Sequence, residues 1–225
     1  MKYQALLFDA DGTLLDFKKS EENGLRSVFT YFPVPDRKSC EAYYKELNQK
    51  LWDRFEKGEI TKQTIFDTRF SKLCSYFNLP YDGILMEAYY RKCLNEGHDL
   101  IDGAYEVIKA LSKQYSLYII TNGTAQTQYR RLKDSQLLPF FQAVFVSEEI
   151  GYQKPDRAYF DYVCKKVPCK REQMLVVGDS LNCDILGAQR SQIASVWFHT
   201  DHQDNAVSVK PDYEIHALEE LWSVL

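Results

Sequence analysis

Short apolar runs closed by polar residues recur through this 225-residue chain. Ala5-Leu6-Leu7-Phe8 runs into Asp9, and Leu117-Tyr118-Ile119-Ile120 runs into Thr121-Asn122-Gly123. Met174-Leu175-Val176-Val177 runs into Gly178-Asp179-Ser180. Ala143-Val144-Phe145-Val146, Ala194-Ser195-Val196-Trp197-Phe198 and Tyr213-Glu214-Ile215 complete the strand candidates. Helix-period segments stand between them, over about 103–113 and about 124–135 and again after Pro155. A further segment carries Leu181, Ile185 and Ala188 on one helical face. Short apolar strands alternating with helices predict βαβ units and a parallel sheet, an α/β fold.

The first two strands lie about a hundred residues apart, far beyond an ordinary crossover. Between Glu21 and Glu96 the period is helical throughout. Leu25, Val28, Phe29 and Phe32 form one stripe; Tyr44, Leu47, Leu51 and Phe55 form a second; Ile65, Phe66, Phe70 and Leu73 form a third. Pro33-Val34-Pro35, Lys57-Gly58 and Leu79-Pro80 punctuate them. The stripes read as packing between helices. The segment predicts an inserted α-helical domain over 17–98, and a parallel-sheet core over 1–16 and 99–225.

The chemistry gathers where the strands end, since ligands of an open α/β sheet bind beyond the carboxyl ends of its strands. Asp9 and Asp11 stand two residues apart after the first strand. Two ionised carboxylates a few ångströms apart repel by roughly 4 kcal/mol at an intermediate dielectric. Such a pair points to a metal or to a reaction that uses it. Asp-Gly-Thr after a strand is also an ordinary turn signal. Thr121 and Asn122 end the second strand, Lys154 precedes Pro155, and Asp179 ends a later strand with Asp184 five residues on. Each of these alone has a plain reading as a turn, a solvated lysine, or a helix cap with a first-turn acid. Their joint occurrence in this order favours function.

Composition narrows the partners. The formal charge is −4, with no basic run or basic helix, which argues against a nucleic-acid duplex or an anionic membrane surface. No apolar stretch is long enough to span a bilayer. The six cysteines include no Cys-x-x-Cys pair, and Met1-Lys2-Tyr3-Gln4 leads into a strand-like run rather than a signal-peptide core. The expectation is a cytoplasmic protein with free thiols. His199 and His202 share a His-x-x-His spacing, but zinc sites want more ligands at supporting spacing. Cys183 reads as a small packed residue and His98 as a surface residue at the domain junction.

Asp9-Ala10-Asp11-Gly12-Thr13, Thr121-Asn122-Gly123, Lys154-Pro155 and Gly178-Asp179-Ser180-Leu181-Asn182-Cys183-Asp184 together resemble the four ordered motifs of the haloacid dehalogenase superfamily, in its phosphatase branch. The resemblance covers nearly the whole chain and implies a Rossmann-like core with a helical cap. It implies that Mg2+ is held by the Asp9 carboxylate, the Asp11 main-chain carbonyl and the Asp179 carboxylate. It further implies that Asp9 attacks phosphorus to give an aspartyl-phosphate, while Asp11 acts as acid and then base with a raised pKa. On this reading Thr121 and the backbone around Asn122 would bind phosphate, Lys154 would supply positive charge, and Asp184 would support the metal or orient Lys154. A true dehalogenase lacks an acid at the position of Asp11.

The finer wording is similar to a bacterial subgroup of pyrimidine 5′-nucleotidases. It is carried by Phe8 to Phe17, Asn48 to Trp52, Glu56 to Thr61, Ser147 to Pro155 and Gly178 to Gly187. That implies a small phosphorylated metabolite as partner, a nucleoside monophosphate such as UMP, dUMP or dTMP. Trp52 or Phe17 then serves either as a base-stacking surface or as core. The subgroup often carries an acid at the position of Gly12; the glycine here is instead what general phosphatases of the superfamily carry. A sugar phosphate or phosphoglycolate is the alternative substrate. A phospho-accepting signalling receiver is the alternative of another class, against which stand the long insert and Asp11.

Overall fold

The structure, a computed structural model, describes residues 2–200 and 209–225; His202 lies outside the described residues. The chain forms two compact units, Met1–Phe17 with His98–Leu225, and Lys18–Gly97.

The first unit opens with β1 (Ala5–Phe8), which leads through the Asp9 to Asp16 turn into α1 (Phe17–Tyr31) of the insert. The insert continues with α2 (Arg37–Glu56), α3 (Lys62–Phe77) and α4 (Gly83–Glu96). The chain then returns as α5 (Ala104–Leu111), β2 (Ser116–Thr121), α6 (Ala125–Asp134), β3 (Phe141–Val146), the single turn α7 (Ser147–Ile150) and α8 (Arg157–Lys166). It closes with β4 (Met174–Gly178), α9 (Leu186–Arg190), β5 (Ala194–Phe198), β6 (Tyr213–Ile215) and α10 (Leu221–Val224).

Among the described residues the strands form one sheet in the order β3-β2-β1-β4-β5-β6, parallel at every pairing. The chain builds outward from β1 to β3 on one side, then crosses to β4 on the other. β1 and β4 therefore flank the topological switch point, where an open sheet leaves a crevice. Phe8 is in register with Ile119 of β2 and Val177 of β4, and Asp9 N–H donates to Val177 O at 2.8 Å.

Both faces of the sheet are covered, so the strands read as continuous apolar runs rather than alternations. Leu6 and Phe8 pack with Ile119, Val177 and the α5 residues Val107, Ile108 and Leu111. Leu7 points the other way, to Ile120, Val176 and the α8 residues Tyr159, Phe160 and Val163. Each such side chain contributes about 1.5–3 kcal/mol by leaving water. This core fixes the strand ends, and through them the polar residues that follow.

The predicted single helix after Asp179 is divided in two. A π-helical stretch covers Leu181–Ile185, and α9 starts only after it. Leu181 and Ile185 pack with Trp197, whereas Ala188 joins the α8 side of the core. The wider turn brings Asp184 to the protein interior, where it is 1% exposed. Single-turn π distortions of this kind occur mostly at functional sites.

Within the helical unit, the predicted breaks are capped ends. Asp36, Thr61 and Asp82 accept from the backbone N–H groups of Ser39, Thr64 and Ile84 at 3.1, 3.2 and 2.7 Å. Its core joins Leu25, Val28 and Phe29 to Tyr44, Phe70, Leu73, Met86 and Tyr90. A buried bidentate pair, not legible beforehand, links Arg69 to Glu87 at 2.7 Å for both bonds; Arg69 also donates to Asn48 Oδ1 at 3.0 Å. Trp52 packs partly buried against Leu51, Ile65 and Phe66, with its ring 5.6 Å from that of Phe55.

Candidate active site

The carboxyl ends of β1, β2 and β4 meet around one buried ammonium. Lys154 is 2% exposed, and its Nζ donates to Asp9 Oδ1 at 2.6 Å, Asp184 Oδ1 at 2.6 Å and Ile120 O at 3.1 Å. These three acceptors match the three N–H donors of an ammonium. Asn122 holds the lysine's main chain from both sides. Its Nδ2 donates to Lys154 O at 2.9 Å, and its Oδ1 accepts from Lys154 N at 2.9 Å. The Asn122 side chain therefore positions Lys154, and only its backbone remains to serve a phosphate. Cys183 is buried beside this contact, with Sγ 3.6 Å from Lys154 O.

Asp9, Asp179 and Asp184 form an acidic group whose ligand oxygens lie within 4.8 Å of one another. Burial pushes the Asp9 carboxyl up to about 7, against the pull of Lys154. Asp179 is raised well above the ordinary carboxylate range, by desolvation first and then by the Asp9 and Asp184 charges. Lys154 is raised by the same two neighbours, which outweigh its own desolvation. One ammonium thus faces three carboxylates, and the charge does not balance. Hard oxygen donors in negative excess suit a divalent cation such as Mg2+. Asp9 keeps one oxygen for such an ion, because Lys154 occupies the other.

Gly12 shapes the floor of this cleft. Its φ is +83°, and a Cβ there would stand 2.3 Å from Asp179 Oδ2. Gly178 plays the same part under Asp184, where a Cβ would stand 2.3 Å from Cγ. At the N-terminus of the π-helical stretch, Ser180 Oγ accepts from Cys183 N–H at 3.1 Å, and Ser180 N–H donates to Asp184 Oδ2 at 3.2 Å.

Asp11 faces α6 rather than Lys154. Its carboxylate forms an ion pair with Arg131 and accepts from Gln128 Nε2. To hand a proton to a leaving group, Asp11 must give up these partners. Arg131 is 1% exposed, and its guanidinium lies 6.0 Å from the Phe17 ring centroid. Gln128 also donates to Thr121 Oγ1 at 3.0 Å, as does Gly123 N–H at 3.0 Å. With two N–H groups already donating to that oxygen, Thr121 can offer its own O–H to a phosphate. Tyr159 Oη accepts from Thr121 N–H at 3.1 Å and donates to Phe145 O at 2.7 Å, tying β2 to β3.

Asp9, Asp11, Thr121, Asn122, Lys154, Asp179 and Asp184 thus lie in one unit, around the carboxyl ends of β1, β2 and β4. Gln128, Arg131 and Tyr159 were missed. They sit on amphipathic helices, where only helical spacing marks a polar side chain as turned inward. The inward spacing of Gln128, Arg131 and Leu132 on α6 was the available signal.

The family model for haloacid dehalogenase-like hydrolases matches residues 6–198. This chain belongs to that family. It is 45% identical to YfnB of Bacillus subtilis, described as a HAD-hydrolase, over 100% of this chain and 96% of the relative. The magnesium-bound crystal structure of YfnB superposes with a TM-score of 0.94 over 100% of this chain and 99% of that one. The pyrimidine 5′-nucleotidase PynA of Streptococcus pneumoniae is 34% identical over 100% of this chain and 96% of its own. The pyrimidine 5′-nucleotidase YjjG of Escherichia coli is 30% identical over 100% and 99%. The haloacid dehalogenase-like fold accounts for the parallel sheet and for the hydrolase class of the chain. Among the described residues no helix is long and apolar enough to cross a membrane.

Proposed function

We propose that this hydrolase cleaves phosphomonoesters through an aspartyl-phosphate on Asp9, with Mg2+ as cofactor and pyrimidine nucleoside monophosphates as substrates. The observation that carries the reading is the cleft itself: Asp9 lies beside Asp179 and Asp184, with one of its oxygens fixed by Lys154.

Asp9 attacks with the oxygen beside Lys154, its other oxygen being the one kept for the metal. An Asp9 O–P bond forms as the ester P–O bond breaks. Lys154 and the Thr121 O–H offset the charge gathering on the phosphoryl oxygens. Asp11, released from Arg131 and Gln128 and carrying a proton, gives that proton to the leaving oxygen. As a carboxylate it then takes a proton from the water that attacks phosphorus, and Asp9 is freed. The carboxylates of Asp9 and Asp179 and the main-chain carbonyl of Asp11 would hold Mg2+, which supplies charge neutralisation and phosphoryl orientation. Asp184 fixes Lys154 and the Ser180 backbone around that set.

The substrate rests on the likeness to PynA and YjjG along the whole chain. It is tested by incubating the purified protein with pyrimidine and purine monophosphates, sugar phosphates and phosphoglycolate, each with Mg2+ or with chelator. Metal-dependent phosphate release favouring UMP, dUMP or dTMP is expected. A preference for another ester keeps the chemistry and overturns the substrate. No release from any ester overturns both.

A further inference from the structure

Beyond the Asp9 cleft, the ends of β5 and β6 bring two imidazoles and a carboxylate together. His199 follows β5 directly, one step past the paired residues Phe198 and Ile215. Glu214 and His216 flank the buried Ile215, so strand alternation puts both on the opposite face from it. His199 N–H donates to Ile215 O at 3.1 Å and holds the two strand ends in step.

The ligand atoms converge. His199 Nε2 lies 2.8 Å from Glu214 Oε1, and His216 Nε2 lies 3.9 Å from the same oxygen. The three donor atoms lie within 4.8 Å of one another. A tetrahedral ion bonded at about 2.0–2.1 Å sets its ligands about 3.3 Å apart, so small side-chain shifts close the site. With protonated rings, ion pairs to Glu214 account for both distances; with neutral rings, a bound cation accounts for the convergence. His216 Nδ1 lies 3.0 Å from His199 O, and a carbonyl can only accept. The proton is therefore on Nδ1, and in the neutral ring the lone pair is on Nε2, toward Glu214. Carbonyl-anchored imidazoles of this kind are the usual metal ligands. The His199 ring is held in turn by stacking on Trp197, with centroids 3.7 Å apart and planes at 19°.

We propose that His199, Glu214 and His216 form a second metal site, for a divalent transition ion such as Zn2+ or Ni2+. Two imidazoles with one carboxylate suit such ions and disfavour Mg2+, which prefers oxygen. On binding, the bond between His199 Nε2 and Glu214 gives way to two metal–ligand bonds, and any proton on Nε2 passes to solvent. The side chains of Glu214 and His216 are 48% and 37% exposed, which leaves a path for the ion and for water as a fourth ligand. The site is coupled to the cleft by one side chain, since Trp197 Nε1–H donates to Asp179 O at 2.9 Å.

The test titrates the full chain with Ni2+ in excess Mg2+, following heat of binding and tryptophan fluorescence. One equivalent of Ni2+ should bind and quench fluorescence, because Trp197 touches a ligand ring. The variants His216→Ala and Glu214→Ala should lose both signals, while Asp179→Asn keeps the equivalent. His216 is at the surface, so its removal spares the core; His216→Gln serves as a second variant. No binding, or an equivalent that survives in His216→Ala and His216→Gln, overturns the assignment. So does an equivalent lost in His202→Ala but kept in His216→Ala.

Discussion

Lys154 is the residue on which the charges of the cleft depend. It lies between Asp9 and Asp184, all three nearly out of water. Removing one partner of a buried ion pair costs about 3–5 kcal/mol, because the other charge is left unpaired. Lys154→Met should therefore lower the urea-unfolding free energy of the Mg2+-free protein by about that amount; a loss below about 1 kcal/mol would contradict the bridging role. Asp9→Asn keeps the shape of the cleft and removes the oxygen proposed to attack phosphorus. Phosphate release should fall by at least about 1,000-fold with an unchanged circular dichroism spectrum. A pure Asp9→Asn preparation with substantial turnover would remove Asp9 as the nucleophile. Arg131 and Gln128 hold Asp11 aside, so Gln128→Leu is expected to change kcat by up to about tenfold and KM little. An effect confined to KM would place Gln128 on the substrate instead.

Elements decide which of these residues could be read in advance. The strands were legible because each is a short apolar run buried on both faces. Asp9, Thr121 and Asp179 were legible because they stand where such a run stops. Lys154 showed itself only through the neighbouring Pro155 and the order of the motifs. Arg131 and Gln128 did not show themselves, since α6 buries polar side chains on the face where a sequence reading expects apolar ones. The π-helical stretch was invisible for a related reason: its turn depends on Asp184 reaching Lys154 across the fold. The turn after β1 offers a direct test. Gly12 adopts a left-handed φ of +83° with Asp179 Oδ2 in the space of a Cβ. Gly12→Ala should cost about 1–3 kcal/mol from the backbone alone. It should also push Asp179 aside and weaken the Mg2+-dependent rise in melting temperature. An undiminished rise would show that the turn does not shape the metal site.

For the molecule as a whole, the carboxylate cluster links pH, metal and stability. The Asp9 value of about 7 in the folded chain lies above its ordinary 3.8. Between those values the folded chain holds protons that the unfolded chain has released. In chelator, this contribution to stability is complete at the acid end and is lost as pH rises through about 7. Mg2+ competes with the same protons, so the melting-temperature rise it produces should be larger at about pH 8 than at about pH 5. An equal or smaller rise at the higher pH would contradict the cluster as the metal site. The proposed mechanism requires a covalent bond between Asp9 and phosphorus. The most direct test is to mix enzyme, Mg2+ and a hydrolysed nucleoside monophosphate, quench in acid within a turnover, and reduce with borohydride. Peptide mass spectrometry then locates any reduced acyl-phosphate. Reduction is expected at Asp9 alone, and only when substrate and Mg2+ are both present. Turnover with no reduced Asp9, or with the mark on another carboxylate, would contradict it.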